Sequence, residues 1–321
     1  MAADQGERVL DGVGHSRIGL GCMPMSWGYF GDPSEHTEER SRAVFDRALE
    51  LGIAHFDTAD VYGPFTNEEL VGRMLEGRRD GLVLATKVGM RVGPNGGYPL
   101  DRDARPERIL REVEGSLGRL RTDVIDLYYL HRIDPAVPFE EQWGTLASLV
   151  QAGKVRAIGL SEVGVDELDR ASAIHPVAAV QSELSLWSRD ALEEVVPWCA
   201  DHGAAFVPFS PLGRGYLAGG LTTAEYRERD FRAQNPRFTQ EALDANAGIV
   251  EAVRRVADRL DATPAQVALA WVLAQGEHVL PIPGTKRAAY VQENVQAGWL
   301  ELSAGDLADL DALPEAFGAR Y

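Results

Sequence analysis

The chain has 321 residues, of which 45% are hydrophobic, and it carries a formal net charge of −17. A surface this acidic argues against nucleic acid or an anionic membrane as a general partner. The two cysteines, Cys22 and Cys199, are too far apart in sequence to suggest a disulfide framework. No stretch approaches the roughly 18 apolar residues of a membrane span, and the N-terminus lacks the apolar core of a signal peptide. We therefore expect a cytoplasmic protein.

Short apolar runs alternate with helical patterns along most of the chain. After a predicted hairpin at 7–14, the sequence predicts eight strands, at 17–23, 53–57, 81–88, 124–131, 154–162, 177–183, 204–211 and 278–284. Helices are predicted at 37–51, 68–75, 106–120, 139–152, 165–175, 190–202, 242–260 and 263–275, and a last one begins at Ser303. Such alternation indicates parallel strands covered by helices. Eight units favour a closed (β/α)8 TIM barrel, and no linker suggests a second domain within 1–321.

Polar residues follow several predicted strands, on the side where such barrels carry their chemistry. Asp57 ends the second strand and Tyr62 follows in the loop, while Lys87 and His131 end the next two strands. A free phenol has a pKa of about 10, and a nearby ammonium would lower that pKa. A buried ammonium needs a carboxylate, which Asp57 can supply, and His131 could orient a substrate oxygen. The four residues are suited to protonating a carbonyl oxygen while a hydride from a nicotinamide attacks the carbon.

The segment GTKR, residues 284–287, places two cations directly after the eighth predicted strand, where barrels commonly bind phosphate. In an otherwise acidic chain, Lys286 and Arg287 favour NADP over NAD, because NADP carries an additional phosphate. The seven histidines include no His-x-His pair, so no metal site is predicted.

Several segments, in order along the chain, resemble the aldo-keto reductases, above all their bacterial and plant branch: GLGCMPMSW, FDTADVYG, LATKVG, IDLYYLHRID, GKVRAIGLSE, VQSELSLWSR, VPFSPLGRGYL and PIPGTKR. The resemblance implies that Tyr62 is the general acid and that Lys87 activates it. It also implies that Asp57 is the partner of Lys87 and that His131 orients the substrate carbonyl. The implied reaction is NADPH-dependent reduction of an aldehyde or ketone.

The resemblance further implies a binding site for NADP(H). Its residues would be Gly21, Cys22, Met23, Asp57, Ser161, Glu162, Gln181, Phe209, Ser210, Pro211, Leu212, Gly213, Arg214, Gly284, Thr285, Lys286, Arg287, Tyr290, Glu293 and Asn294. By the same resemblance, residues 161, 162 and 181 would hold the carboxamide, and residue 209 would stack on the nicotinamide. Residues 210–214 would wrap the pyrophosphate, 286 and 287 would meet the 2′-phosphate, and 293 and 294 the adenine. The chain departs from the family at Glu162, where Asn is usual, at Phe209, where Tyr is frequent, and at Leu184, where Tyr is expected.

The substrate would be a small carbonyl compound or alcohol. Trp27, Tyr29 and Phe30 follow the first strand and Arg132 follows His131, so an aromatic mouth would suit apolar or ring substituents. The alternative is that these aromatic residues only pack a lid. The loop 218–240 is expected to fold over the cofactor or the substrate.

Three rival functions differ in how well they fit the sequence. A metal-dependent barrel hydrolase is disfavoured because the chain has no His-x-His pair. A Rossmann reductase is disfavoured because GLGCMP lacks a third glycine and no Tyr is followed by Lys four residues later. A regulatory subunit of the same barrel fold stays open, since the four residues do not exclude it. Such a protein would bind NADPH with negligible turnover. The oligomeric state is left open as well.

Overall fold

The structure is a computed structural model that describes residues 10, 17–29, 36–92, 100–221, 226 and 230–320. The predicted hairpin at 7–14 lies outside these residues, apart from Leu10. Phe30 and parts of the loop 218–240 lie outside them too.

The described strands form one parallel sheet and one short antiparallel pair. They are β1 (Leu20–Gly21), β2 (His55–Asp57), β3 (Val83–Val88), β4 (Met90–Arg91), β5 (Asp101–Arg102), β6 (Ile125–Leu130), β7 (Val155–Ser161), β8 (Ala179–Glu183) and β9 (Ala205–Phe209). The parallel sheet has the order β1-β2-β3-β6-β7-β8-β9, and β4 pairs with β5. Because each strand of the sheet pairs with the next one along the chain, all the carboxyl ends lie on one side.

Helices connect the strands and cover the outside of the sheet. They are α1 (Glu38–Glu50), α2 (Thr66–Leu75), α3 (Pro106–Leu120), α4 (Phe139–Gln151), α5 (Val165–Ser172), α6 (Val195–His202), α7 (Gln240–Ala245), α8 (Ala247–Arg259), α9 (Pro264–Leu273), α10 (Ala288–Gln296) and α11 (Ala304–Asp311). Short 3-10 turns lie at 23–25, 190–192, 213–215, 231–234, 236–238 and 297–299. The alternation confirms the predicted (β/α)8 barrel architecture.

Capping residues explain where several helices begin. Thr263 caps α9 in a capping box with Gln266, and Ser303 does the same for α11 with Asp306. Pro106 opens α3, where its missing N–H costs no hydrogen bond. These three starts are confirmed as predicted. One helix, α10, was not predicted.

The eighth predicted strand, 278–284, closes the barrel without forming a regular strand. Ile282 N–H donates to Pro208 O (3.0 Å) on one side, and Gly19 N–H donates to Pro281 O (2.9 Å) on the other. Only isolated bridges form, Phe206 with Val279 and Gly21 with Gly284. The physical reason is that Pro281 and Pro283 have no N–H, so the ladder cannot be completed.

The barrel has an inner and an outer apolar layer. On β6, Leu127 and Tyr129 belong to the inner cluster, while Tyr128 belongs to the outer cluster against the helices. Gly159 on the neighbouring strand makes room for the inner ring, because a Cβ there would lie 2.6 Å from Tyr129. Side chains therefore fill the interior, and any ligand site must lie at a barrel end.

Candidate active site

The carboxyl ends of β2 and β3 bring a buried ion pair to the mouth of the barrel. Lys87 Nζ lies 2.5 Å from Asp57 Oδ1 and 2.7 Å from the carbonyl oxygen of Thr58. Lys87 has no exposed surface and Asp57 is 3% exposed. Gln181 donates to the other carboxylate oxygen, Asp57 Oδ2, at 2.8 Å. The carboxylate therefore holds the ammonium in one position and is itself oriented.

Tyr62 lies beside this pair. Lys87 Nζ lies 3.4 Å from the phenolic oxygen and 5.0 Å from the centre of the ring. Burial raises the pKa of Tyr62, and Lys87 opposes that rise without overcoming it. Lys87 therefore lowers the pKa of Tyr62 as expected, but burial outweighs this effect and the net shift is upward. The physical reason is that losing water around the phenolate costs more than one ammonium returns. Tyr62 is a neutral phenol and carries a proton that it can donate.

Lys87 stays charged although it is buried. Burial alone would lower the pKa of Lys87, but Asp57 and Tyr62 raise it above its ordinary value. The ammonium is thus stabilised by the carboxylate that it contacts.

His131 completes the group. Its ring centre lies 5.9 Å from that of Tyr62, with the two planes at 85°. Burial lowers the pKa of His131 well below its usual range, and the positive charges of Lys87 and Arg132 add to this effect. The imidazole is therefore neutral. Its Nδ1 is buried and makes no hydrogen bond to the described residues. A neutral imidazole can donate one hydrogen bond to a substrate oxygen.

These residues open into a long cavity of about 1370 Å³. The predicted substrate residues Trp27, Tyr29 and Arg132 line it, and so do the predicted catalytic residues Asp57, Tyr62 and His131. Most of the remaining predicted cofactor residues line it as well: Gly21, Met23, Ser161, Glu162, Gln181, Phe209, Ser210, Pro211, Leu212, Arg214, Gly284, Thr285, Lys286, Arg287, Tyr290, Glu293 and Asn294. Cys22, Lys87 and Gly213 do not line it. Cys22 is fully buried behind the wall, and Gly213 packs against Trp187.

The middle of the cavity carries the predicted carboxamide residues. Arg132 Nη1 donates to Ser161 Oγ at 2.9 Å. The Glu162 carboxylate accepts a hydrogen bond from the Glu183 backbone N–H at 2.9 Å, and it forms an ion pair with Arg320 near the end of the chain. Since Gln181 donates to Asp57, its side-chain nitrogen is already engaged.

The turn after β9 has a backbone suited to close approach by a ligand. Ser210, Gly213 and Arg214 all have positive φ, at 50°, 54° and 56°. Arg214 is held by a buried ion pair with Glu183, at 2.9 Å. A turn of this kind can aim several backbone N–H groups at an anion.

The far end of the cavity is basic. Lys286 Nζ donates to the carbonyl oxygen of Tyr29 at 3.2 Å, which ties together the loops that follow the first and eighth strand segments. Arg287 Nη1 lies 3.3 Å from the hydroxyl of Tyr290. Glu293 accepts a hydrogen bond of 2.6 Å from Thr263 Oγ1. Two cations and an acceptor therefore lie together at this end.

A dinucleotide fits this cavity by volume and by donor chemistry. The volume exceeds the roughly 300–1,000 Å³ of ordinary small-molecule pockets, so both a cofactor and a substrate have room. The phenol of Tyr62 and the imidazole of His131 line the same cavity as the cations Lys286 and Arg287. No group of three or more metal-ligating side chains is found among the described residues.

Several lining residues were not predicted from sequence, among them Met90, Leu100, Arg102 and Arg320. The first three lie on or beside the β4–β5 pair, and Arg320 lies near the C-terminus. No local motif marks them, because the tertiary fold alone brings these segments to the barrel mouth. Phe231 and Arg232 also line the cavity, and they belong to the loop 218–240 that was expected to fold over the cofactor or the substrate.

Comparison with known proteins agrees with this geometry. A model of the aldo/keto reductase family matches residues 17–315. The Glycine max protein "Probable aldo-keto reductase 1" is 44% identical over 311 residues, covering 95% of this chain and 88% of that protein. A glycerol dehydrogenase from Gluconobacter oxydans has a TM-score of 0.82 at 29% identity, covering 92% of this chain and 90% of its own.

A second solved structure, the holo form of an aldo-keto reductase from Bacillus halodurans, has a TM-score of 0.73 at 29% identity. The match covers 95% of this chain and 93% of that one. Within the described residues, no helix is long and apolar enough to cross a membrane. The chain belongs to the aldo/keto reductase family, whose members are oxidoreductases that generally use nicotinamide cofactors.

Proposed function

We propose that this protein reduces aldehydes or ketones to alcohols with NADPH. The bound cofactor supplies a hydride to the carbonyl carbon, and Tyr62 donates its phenolic proton to the oxygen. The observation that carries the proposal is the position of Tyr62 at the wall of a cavity large enough for two ligands, with Lys87 Nζ 3.4 Å from its phenolic oxygen.

Lys87 and Asp57 assist without donating the proton. As Tyr62 loses its proton, negative charge develops on the phenolic oxygen, and the adjacent ammonium stabilises that charge. Asp57 keeps the ammonium charged and fixed, at 2.5 Å. The neutral imidazole of His131 donates a hydrogen bond that orients the substrate oxygen.

The basic end of the cavity supports NADPH as the cofactor. A guanidinium and an ammonium together suit a phosphate group, and the neighbouring residues Lys286 and Arg287 both line the cavity. The residues between the two ends, Ser161, Glu162 and Phe209, would hold the nicotinamide. Residues 210–214 would wrap the pyrophosphate.

The experiment is NADPH oxidation over a panel of aldehydes and ketones, with wild type and Tyr62→Phe. One relative is named a glycerol dehydrogenase, so glycerol oxidation with NADP⁺ is included. We expect Tyr62→Phe to lose at least about 10²-fold in kcat, the usual contribution of a general acid. Tyr128→Phe is the matched control, because it removes the same atom from a buried tyrosine that does not line the cavity.

Unchanged turnover in Tyr62→Phe would refute the mechanism. Tight NADPH binding with negligible oxidation across the whole panel would instead favour the regulatory subunit.

A further inference from the structure

Two arginines line the cavity near His131. Both donate hydrogen bonds to backbone carbonyl oxygens at the end of β6 and in the loop that follows it. Arg132 Nη1 donates to the carbonyl oxygen of His131 at 2.6 Å, and Arg102 Nη1 donates to that of Ile133 at 3.1 Å. Both guanidinium groups line the cavity. Arg102 lies here because β5 pairs with β4, and Arg102 is the pairing partner of Met90. Met90 follows Lys87 by three residues.

Neither arginine has a carboxylate partner among the residues that the structure describes. The acidic neighbours of Arg102 in sequence pair elsewhere, Asp101 with Arg91 and Asp103 with Arg105. Each arginine is held through Nη1 alone, which leaves Nη2 and Nε without a hydrogen bond to the described part of the chain.

The carboxylates of the cavity wall do not neutralise this end. Asp57 pairs with Lys87, Glu162 pairs with Arg320, and Glu293 is bonded to a threonine at the far end. In a chain of net charge −17, two unneutralised cations beside the reacting centre are unexpected. Among the described residues, the substrate end therefore carries an excess of positive charge.

The walls around these cations are apolar. Trp27, Met90 and Leu100 line the same end and pack around Tyr62. Arg132 is half-buried beside these side chains, which strengthens its attraction for an anionic ligand, whereas Arg102 is exposed and its attraction is partly screened by water.

We propose that Arg102 and Arg132 form a subsite for a carboxylate, so that the substrate is an aldehyde or ketone bearing a carboxylate group. This inference rests on the proposed carbonyl reduction and names its substrate class. A guanidinium presents a planar fork of N–H groups that matches a carboxylate in two parallel hydrogen bonds. The apolar walls would contact the carbon chain between the carboxylate and the carbonyl carbon at Tyr62.

The test compares carboxylates with their neutral methyl esters: 4-oxobutanoate, 5-oxopentanoate and 4-formylbenzoate, each against its ester. The measure is the ratio of kcat/KM within a pair, in wild type, Arg102→Gln and Arg132→Gln. We expect wild type to prefer at least one carboxylate by about tenfold or more, and each variant to lower that ratio by about tenfold, as expected for a lost hydrogen bond to a charged group. Arg111→Gln, which removes an exposed arginine from α3, should leave the ratio at the wild-type value.

Because both members of a pair use the same cofactor and carbonyl chemistry, the ratio isolates the subsite. Equal kcat/KM values for carboxylates and esters, with active enzyme, would overturn the inference and leave the reductase function standing.

If no carbonyl is reduced, calorimetric binding of benzoate and benzamide decides the question without turnover. Tighter binding of benzoate that is lost in Arg102→Gln supports the subsite, and equal binding of the two probes overturns it.

Discussion

Arg320, next to the last residue of the chain, forms an ion pair with Glu162 at the end of β7. Arg320 Nη1 lies 3.4 Å from Glu162 Oε1, and a second contact joins Nη2 to Oε2. The C-terminal segment is held in place by Asn246, which bonds to both backbone groups of Phe317, and by Arg237, which donates to Gly318 O. The C-terminus therefore supplies the positive charge that a carboxylate at position 162 requires.

Arg320→Ala should leave Glu162 unpaired and lower the free energy of unfolding by about 1–3 kcal/mol, between the values for exposed and buried pairs. The intermediate value follows because the Arg320 side chain is 26% exposed and that of Glu162 is 10% exposed. Urea unfolding measures the change. Adding Glu162→Asn to Arg320→Ala should restore most of the stability, because Asn is neutral and tolerates the positive φ of 56° at this position. No recovery in the double variant would show that the pair does not act through charge.

Asp57→Asn should be strongly destabilising, because it leaves the Lys87 ammonium buried without its carboxylate. The expected loss is about 3–5 kcal/mol of unfolding free energy. The double variant Asp57→Asn with Lys87→Met should recover much of that loss, since no charge then remains buried. Denaturant unfolding of the single and double variants forms the cycle. Additive losses in the double variant would contradict the coupling.

His55 should make the protein sensitive to mild acid. It is 1% exposed, and neither ring nitrogen bonds to a described residue. Burial lowers the pKa of His55 to about 4 from 6.5. Folding favours the neutral imidazole. The stability of the folded state is therefore unaffected by His55 titration above pH 6.5, and it falls as the pH drops from 6.5 towards 4. At about 1.4 kcal/mol per pH unit, the loss approaches roughly 3 kcal/mol.

His55→Leu should remove that pH dependence, so its unfolding free energy should fall less than that of wild type between pH 6.5 and 4.5. Measurement at pH 8 provides the baseline. His131 is present in both wild type and His55→Leu, so its titration does not contribute to the difference between them. Parallel pH profiles would show that His55 does not titrate on unfolding.

Gly213 is constrained by both its backbone and its neighbour. It has φ of 54°, and a Cβ there would lie 2.7 Å from the Trp187 indole. Gly213→Ala should lower stability by about 1–3 kcal/mol through strain and overpacking. Gly144 in α4 is the matched control, because nothing lies within 4 Å of its Cβ position. Gly144→Ala should stabilise by roughly 1 kcal/mol through helix propensity. Thermal unfolding of both variants shows whether the loss of stability is specific to position 213 or follows from any Gly→Ala substitution.

Lys286→Ala with Arg287→Ala should raise the KM for NADPH by about 10²-fold, the loss of two charge-assisted contacts, and change the KM for NADH little. Initial-rate kinetics with both cofactors measure this. Arg111→Gln controls for the loss of surface charge. Equal effects on both cofactors would remove the 2′-phosphate from the explanation.

The sequence predicted the barrel because each strand and helix leaves a local periodic signal. It also predicted the placement of Asp57, Lys87 and His131, since the carboxyl ends of neighbouring parallel strands must meet at one mouth. Their roles in catalysis stay proposals. Several elements differed from expectation, and three of the differences have a clear physical reason. The predicted helix 242–260 is split into two helices at Asn246. The side chain of Asn246 bonds to the backbone of the distant Phe317, a contact that no local pattern predicts. The helix α10 has only Val291 and Val295 as an apolar stripe and no side-chain cap, so its signal was weak. The eighth strand forms only isolated bridges because of its two prolines.

Tertiary structure decided the properties that depend on distant segments. The pKa of Tyr62 is raised because burial outweighs one nearby ammonium, and no local pattern predicts that balance. Arg102 reaches the cavity through a two-residue strand pair, and Arg320 returns to Glu162 across 158 residues. Thus the sequence alone determined the barrel and the meeting of Asp57, Lys87 and His131 beside Tyr62, because those follow from local periodicity and parallel topology. The protonation state of that tyrosine and the charges around it follow from burial and long-range pairing, which exist only in the folded chain.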